Sequence, residues 1–282
     1  LASYPKSGNT YLRSLLVSYF FSKNGNFDFK LLKNIKQFPT NDFFTSLDID
    51  TKDKYQVAKN YIKAQEEINK KGNLIFLKTH SSFCKMYDRF NFSDLKNSLG
   101  VIYIVRDPRN VVNSFAHHNS KSIEATSEVL INDLTIGNEK NELEVYLGSW
   151  NFNYNSWKVY KSSKKYFLIK YEDLVSNPKK IFINTLKFIH QISNSKTIID
   201  EIKIEKILEE TNFSKMRSLE KKYGFDEAKT NENGERVKFF NLGPQNNWKK
   251  ILDPQIRKKI ETSFKIEMKE LGYIWNLQDK FR

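Results

Sequence analysis

The apolar pattern of this chain changes period at one place near its start. After Leu1-Ala2-Ser3-Tyr4 comes a polar turn, Pro5-Lys6-Ser7-Gly8. Leu12, Leu15, Leu16, Tyr19 and Phe20 then recur at the i, i+3, i+4, i+7, i+8 spacing of one buried helical face. The pattern predicts the end of a strand, a tight turn and a helix. Three later runs are continuous rather than alternating: Leu74-Ile75-Phe76-Leu77, Val101-Ile102-Tyr103-Ile104-Val105 and Tyr166-Phe167-Leu168-Ile169. Such runs are expected of strands covered on both faces. They end in Lys78-Thr79-His80, in Arg106 and in Lys170-Tyr171-Glu172-Asp173.

Helical spacing fills the intervals. Leu147, Trp150, Tyr154 and Trp157 supply a crossover before the third run, and a helix is predicted around Tyr55 to Ile68. Asp107-Pro108, Asn177-Pro178 and Asp253-Pro254 each place a capping residue before a proline suited to the first helical turn. Ile181, Phe182 and Leu186 point inward in the second of these helices, and Ile256, Ile260 and Phe264 share a face in the third, which ends near Leu271-Gly272. After a turn at Gln191 to Ser195 another helix runs to about Glu210. Phe43-Phe44 could be core or substrate contact, and reads first as core. Ser218 to Lys238 is charged, holds Gly224 and Gly234 and has no period, so a mobile loop is expected there.

Strands alternating with helices imply an α/β fold with a central parallel sheet flanked by helices. Right-handed crossovers bring every strand's carboxyl end to one edge, where ligands bind. Lys6, Lys78, His80, Arg106 and Tyr171 should therefore emerge together. At 282 residues the expectation is one domain, 1–282.

Composition changes this picture little. The net charge of +14 permits an anionic partner, yet the lysines are spread among asparagines without a dense block, which argues against nucleic acid. Cys84 is the only cysteine, so no intrachain disulfide forms and a reducing, cytoplasmic setting is expected. The spacing His80-x-x-x-Cys84 lacks a second cysteine, and no metal site is expected. Leu15 to Phe21 is too short to span a bilayer. The chain opens mid-strand without methionine, which leaves open residues before Leu1, an anchor among them.

The turn after the first strand has the chemistry of an anion cradle. A helix starting there leaves its first N–H groups and positive dipole end facing the turn. Gly8 removes a side chain from the approach, Ser7 and Thr10 add hydroxyls and Lys6 adds a charge. One glycine and a lysine ahead of the Ser-Gly pair do not make a Walker A loop. Arg106 followed by a capped helix carrying Ser114 offers a fork of donors and a hydroxyl, which suits phosphate. Each feature also has a structural reading: a solvated lysine at a turn, and an arginine in a salt bridge beside a cap.

The stretch Ser3 to Tyr11 resembles the 5′-phosphosulfate loop of sulfotransferases that use 3′-phosphoadenosine 5′-phosphosulfate (PAPS), usually Tyr-Pro-Lys-Ser-Gly-Thr-Thr-Trp. Asn9 and Tyr11 replace a Thr and the Trp and keep a polar group and a flat face. The spacing from Arg106 to Ser114 is similar to that family's 3′-phosphate element. Thr211, Phe213 and Met216 resemble its adenine-binding segment, although the latter two could equally be a core stripe. Phe239 to Lys249 resembles its C-terminal Arg-Lys-Gly-x-x-Gly-x-Trp-Lys element. Gly243, Trp248 and Lys249 align there, whereas Asn241 and Leu242 stand in place of the Arg-Lys pair and Asn246 in place of the second Gly.

The likeness runs from Tyr4 to about Lys249. It implies a single α/β domain with a P-loop nucleotide-kinase-like sheet, PAPS as donor, 3′-phosphoadenosine 5′-phosphate (PAP) as product, and no metal. Carried over residue by residue, the donor would be held by Lys6, Ser7, Gly8, Asn9, Thr10, Tyr11, Arg106, Ser114, Tyr171, Thr211, Phe213, Met216, Phe239, Phe240, Asn241 and Gly243. His80 would be the general base, with Lys6 and Lys78 stabilising the leaving oxygen; His117 and His118 are rivals for the base. Arg236 or Lys238 is expected to reach in for the missing Arg-Lys pair. The acceptor would be a hydroxyl or amine of a small molecule or carbohydrate. Its pocket is expected within Asn24 to Asn73, around Phe83 and in Lys121 to Glu144; no code names it, and oligomeric state is equally silent. The competing classes are a nucleotide or small-molecule kinase using ATP·Mg²⁺ and a non-catalytic adenosine-bisphosphate-binding module.

Overall fold

The computed structural model describes residues 1–132, 135–138, 142–196 and 198–275. Its centre is a strand, Val101–Val105, whose five residues are all buried. Successive side chains of a strand point to opposite faces. Accordingly Val101, Tyr103 and Val105 pack with Tyr4, Phe115, Trp150 and Tyr154 on one side, and Ile102 and Ile104 pack with Leu12, Leu15, Leu16, Phe182 and Leu186 on the other. The continuous apolar run is the imprint of these two layers.

Ala2–Ser3 and Tyr166–Lys170 flank the central strand in parallel. A parallel bridge between Ala2 and Thr79 joins this sheet to a second parallel pair, Lys36–Gln37 with Leu77–Lys78. The spatial order is thus 36–37, 77–78, 2–3, 101–105, 166–170, with all carboxyl ends on one edge. The fold class is the one expected: a central parallel sheet flanked by helices.

Most helices fall where the spacing puts them. The first, Asn9–Phe21, buries Leu12, Leu15 and Leu16 completely. Asp107 caps the helix Pro108–Asn119 by accepting from the Arg109 N–H at 3.0 Å, with Pro108 in its first turn. Pro178–Ile192 buries Phe182 and Leu186, and Trp150–Ser156 forms the crossover with Trp150 and Tyr154 inside. Phe44 is fully buried.

Two expectations are corrected. The run from Leu74 is not a buried strand: only Leu77–Lys78 pairs, and Leu74 and Ile75 are each 40% exposed. Its partner, Lys36–Gln37, is only two residues long, so residues upstream of Leu77 have no ladder to join. The charged stretch from Ser218 is not all loop either. The helix Phe213–Tyr223, capped by Asn212, extends into it and ends at Gly224. Its apolar signal is thin because Met216 is its one buried residue. Beyond it Phe225 is buried and Thr230 bridges to Arg236. Sequence spacing also passed over the helix Ile123–Ile131 and the antiparallel pair Thr135–Asn138 with Glu142–Tyr146. Residues 133–134 and 139–141 of that predicted pocket segment lie outside the described residues. Among the described residues no helix is long and apolar enough to cross a membrane.

Arg109 fastens the C-terminal region to the central strand's end. Its guanidinium donates to Asp107 at 2.6–3.2 Å, to Glu261 at 2.6 Å and to the Tyr273 carbonyl at 2.9 Å. It also lies 3.8 Å from the Trp248 ring centroid. Arg109 and Asp107 are 4% and 5% exposed, so removing Arg109 leaves the Asp107 charge buried without its counter-ion. Arg109→Ala should lower unfolding free energy by about 3–5 kcal/mol, measured by urea denaturation. Arg109→Lys, which lacks the planar fork, should recover only part of it.

Candidate active site

The cradle begins with two left-handed residues, Lys6 at φ 62° and Gly8 at φ 103°. The first helical bond runs from the Leu12 N–H to the Gly8 carbonyl, so the N–H groups ahead of it face the turn. Glycine is required at position 8 for a second reason: a Cβ there would stand 2.4 Å from Cδ2 of Tyr171. Tyr171 in turn lies under Arg106, whose guanidinium is 4.2 Å from the ring centroid. Arg106 donates to the Lys6 carbonyl at 3.1 Å and to the Gly243 carbonyl at 3.4 Å. One arginine therefore ties the cradle to the C-terminal element. Gly243, at φ 51°, is pressed against Phe213, where a Cβ would come within 2.2 Å of the ring.

Several polar atoms of this arrangement are buried without a protein partner: Lys6 Nζ, Ser7 Oγ, Asn9 Oδ1 and Arg106 Nε. Stranded groups of this kind are costly; an anion seated among them would satisfy the donors of Lys6, Ser7 and Arg106, whereas the Asn9 amide oxygen accepts and would need a donor. The Lys6 ammonium rests 3.5 Å from the Phe239 ring centroid. Burial lowers its pKa to about 7; Glu227 and Glu220 resist the fall, while Arg106 and Lys78 add to it.

His80 stands at the neighbouring strand end. Its Nδ1 lies 2.8 Å from the Ser3 carbonyl, which sets the tautomer with the proton on Nδ1 and leaves Nε2 able to accept one. Burial, with Lys78 second, brings its pKa down to about 4, so it is neutral at pH 7. Asn153 donates both to the His80 carbonyl at 2.9 Å and to the Leu147 carbonyl at 2.8 Å, which holds Leu147 beside it.

A cavity of about 1460 Å³ opens over this edge. It is lined by Lys6, Gly8, Asn9, Thr10, Tyr11, Lys78, His80, Arg106, Ser114, Tyr171, Thr211, Phe213, Met216, Phe239, Phe240, Asn241 and Gly243. Of the residues carried over from the family motifs only Ser7 is outside that lining; it is completely buried beneath it. His117 and His118 line the cavity as well. His117 bonds the Lys238 carbonyl through Nε2, and His118 meets Phe239 edge-on, with burial and then Lys6 pressing its pKa far down.

Neither Arg236 nor Lys238 lines the cavity. Arg236 donates to the Phe225 carbonyl at 2.6 Å, and Lys238 is exposed. Lys229 and Lys121 do line it, the former donating to Asn119. Sequence reasoning also missed Glu227 and Arg13. Glu227 Oε1 accepts from Arg13 at 2.6 Å and from Lys78 at 2.8 Å, and Oε2 accepts from Thr10 at 3.2 Å. Burial alone would raise its carboxyl, but Lys78 and Arg13 hold it well below the usual range. One signal was available: Arg13 interrupts the apolar face of the first helix.

An anion cradle and a neutral histidine thus meet at the carboxyl edge of a parallel sheet, the edge at which ligands bind in such folds. The chain belongs to the sulfotransferase family, whose sulfotransferase-domain profile matches residues 1–272. It is 23% identical over 190 residues to an amine sulfotransferase of Oryctolagus cuniculus, covering 65% of this chain and 60% of that protein. It is 23% identical over 207 residues to sulfotransferase 1B1 of Canis lupus familiaris, covering 72% and 64%. The chain thus spans less than two thirds of the length of either relative. The crystal structure of mouse sulfotransferase SULT7A1 complexed with PAP superposes with a TM-score of 0.55 at 20% identity, over 95% of this chain and 83% of that one.

The two glycines Gly243 and Gly234 separate ring contact from backbone strain. Gly234 has φ 80° and open space around a Cβ, so Gly234→Ala should cost only about 1 kcal/mol. Gly243→Ala meets Phe213 as well and should cost about 1–3 kcal/mol more, read as the difference in urea unfolding free energy.

Proposed function

We propose that this protein transfers a sulfuryl group from PAPS to a hydroxyl or amine of a small acceptor with a largely apolar body. One observation carries the reading: buried, unpartnered donors of the cradle and a neutral His80 with its Nδ1 committed to Ser3 converge on one cavity. Bound PAPS would supply the sulfuryl group as the electrophile. The donor set fits it, because Lys6 and Ser7 at one end and Arg106 at the other have capacity for anionic oxygens. Phe213 and Met216 offer a ring and a polarisable sulfur for a base.

The remaining work belongs to side chains of this chain. His80 Nε2 accepts the proton of the acceptor hydroxyl or amine, since its Nδ1–H is held by the Ser3 carbonyl. Lys6 and Lys78 stabilise negative charge on the oxygen that leaves. Leu147 is held beside His80 by Asn153, and Val129, Leu143 and Val145 add apolar surface to the cavity lining. That surface favours an alcohol, phenol or amine with a hydrocarbon body over a sugar. At about 1460 Å³ the cavity exceeds the roughly 300–1,000 Å³ of single-ligand pockets and has room for both substrates. A cytoplasmic setting accords with the single thiol, Cys84.

The test is calorimetric titration with PAP, followed by sulfation of a panel of alcohols, phenols and amines. Absence of PAP uptake would end the reading, and a thermal shift with ATP in place of PAP would favour a kinase. His80→Ala should lower turnover about 10²–10⁴-fold while leaving PAP affinity within about threefold. The pH dependence follows from the two depressed groups. His80 works unprotonated, so activity is lost as pH falls through about 4; Lys6 works protonated, so it is lost as pH rises through about 7. The free-enzyme quantity kcat/KM should therefore rise and fall across that interval.

A further inference from the structure

Glu227 stands where a carboxylate is least expected, inside a site built for anions. Its oxygens take up hydrogen bonds from Thr10 of the cradle and Lys78 of the adjacent strand end. Two arrangements are conceivable on chemical grounds: the carboxylate leaves when an anionic donor arrives, or it stays as part of the wall.

Arg13 decides between them. It is 4% exposed, and its Nη1 bond to Glu227 is its one ion pair among the described residues. Its other partners are the neutral carbonyls of Leu32 and Ile35. Departure of Glu227 would leave a guanidinium charge buried without a counter-ion, the situation that makes broken buried pairs so costly. Lys78 donates to the same oxygen, Glu227 Oε1, at 2.8 Å, so the carboxylate holds Arg13 and Lys78 together. Meanwhile the other half of the cradle, Lys6 and Ser7, keeps its donors for a ligand.

We propose that Glu227 is a positioning residue of the donor site: anchored by Arg13, it remains in place alongside the bound nucleotide, aims Lys78 and Thr10, and sustains the charge of Lys6. The proposal rests on the donor reading above. The groups facing Lys6 are Glu227 and Glu220, which favour its ammonium, and Arg106 and Lys78, which oppose it; His118 also stands close enough for the Lys6 charge to depress it. Removing the Glu227 charge leaves Lys6 among cations with only Glu220 in support, so it loses its proton at lower pH.

The experiment is PAP titration of the wild-type protein and Glu227→Gln from pH 6 to 9. Affinity should fall as pH rises in both, with the fall beginning at lower pH in the variant. At pH 8.5 Glu227→Gln should bind roughly three- to tenfold more weakly, a gap of tenfold for each pH unit by which the onset moves. The gap should narrow towards acid pH to the smaller, constant loss left by the misaimed Lys78 and Thr10, and the ionisation of PAP itself, near ~6, cancels in the ratio. Glu227→Asp, which keeps the charge but withdraws it from Lys78, should fall between the two and answers the question should the Gln variant not fold. Tighter binding by Glu227→Gln at every pH would mean that the carboxylate has to leave, and would overturn the proposal. Weakening that is uniform across pH, or no change, would overturn it equally. Wild-type protein that takes up no PAP at all would instead bring down the donor reading, an outcome distinct from the others.

Discussion

Strands that run the same way release their chains at the same edge, and the site of this protein depends on that constraint. Lys6, His80, Arg106 and Tyr171 are distant in sequence, yet each lies within three residues of a strand's last paired position. The central strand enforces the arrangement because both its faces are buried, so its register and direction are fixed by two separate cores. The flanking strands of two residues would not hold on their own; they are held by what the central one supports.

The second theme is charge under burial. The cradle collects Lys6, Lys78, Arg13 and Arg106 with little solvent among them, an arrangement that proteins tolerate only with counter-charge or with a ligand to come. Glu227 supplies part of the counter-charge from a segment remote in sequence. Aromatic faces supply another part: Phe239 lies against the Lys6 ammonium and Tyr171 against the Arg106 guanidinium. The same crowding keeps His80 neutral, so one electrostatic setting governs both the cation of the cradle and the histidine beside it.

Much of this could be read from the residues in order. The change of period after Gly8 marked the strand, the turn and the first helix, and Asp107-Pro108 marked a helix start with its cap. What escaped had physical reasons. Glu227 lies in a charged stretch with no period, and its significance comes only from contacts with Arg13 and Lys78, each more than a hundred residues away. The helix Phe213–Tyr223 buries too little apolar surface to leave a spacing. Leu74 and Ile75 mimic a covered strand but have no partner to pair with. The position of Leu147 beside His80 depends on Asn153 drawing it into place, which neither residue's local sequence announces.

The cluster around Arg109 links distant parts of the chain to the same edge. It binds Asp107, the residue directly after Arg106, to Glu261 and Tyr273. Fraying of the terminal helices would therefore not stay local: it would loosen the segment directly after Arg106. Amide exchange around Glu261 and Tyr273 should therefore report on the segment beside Arg106 as well.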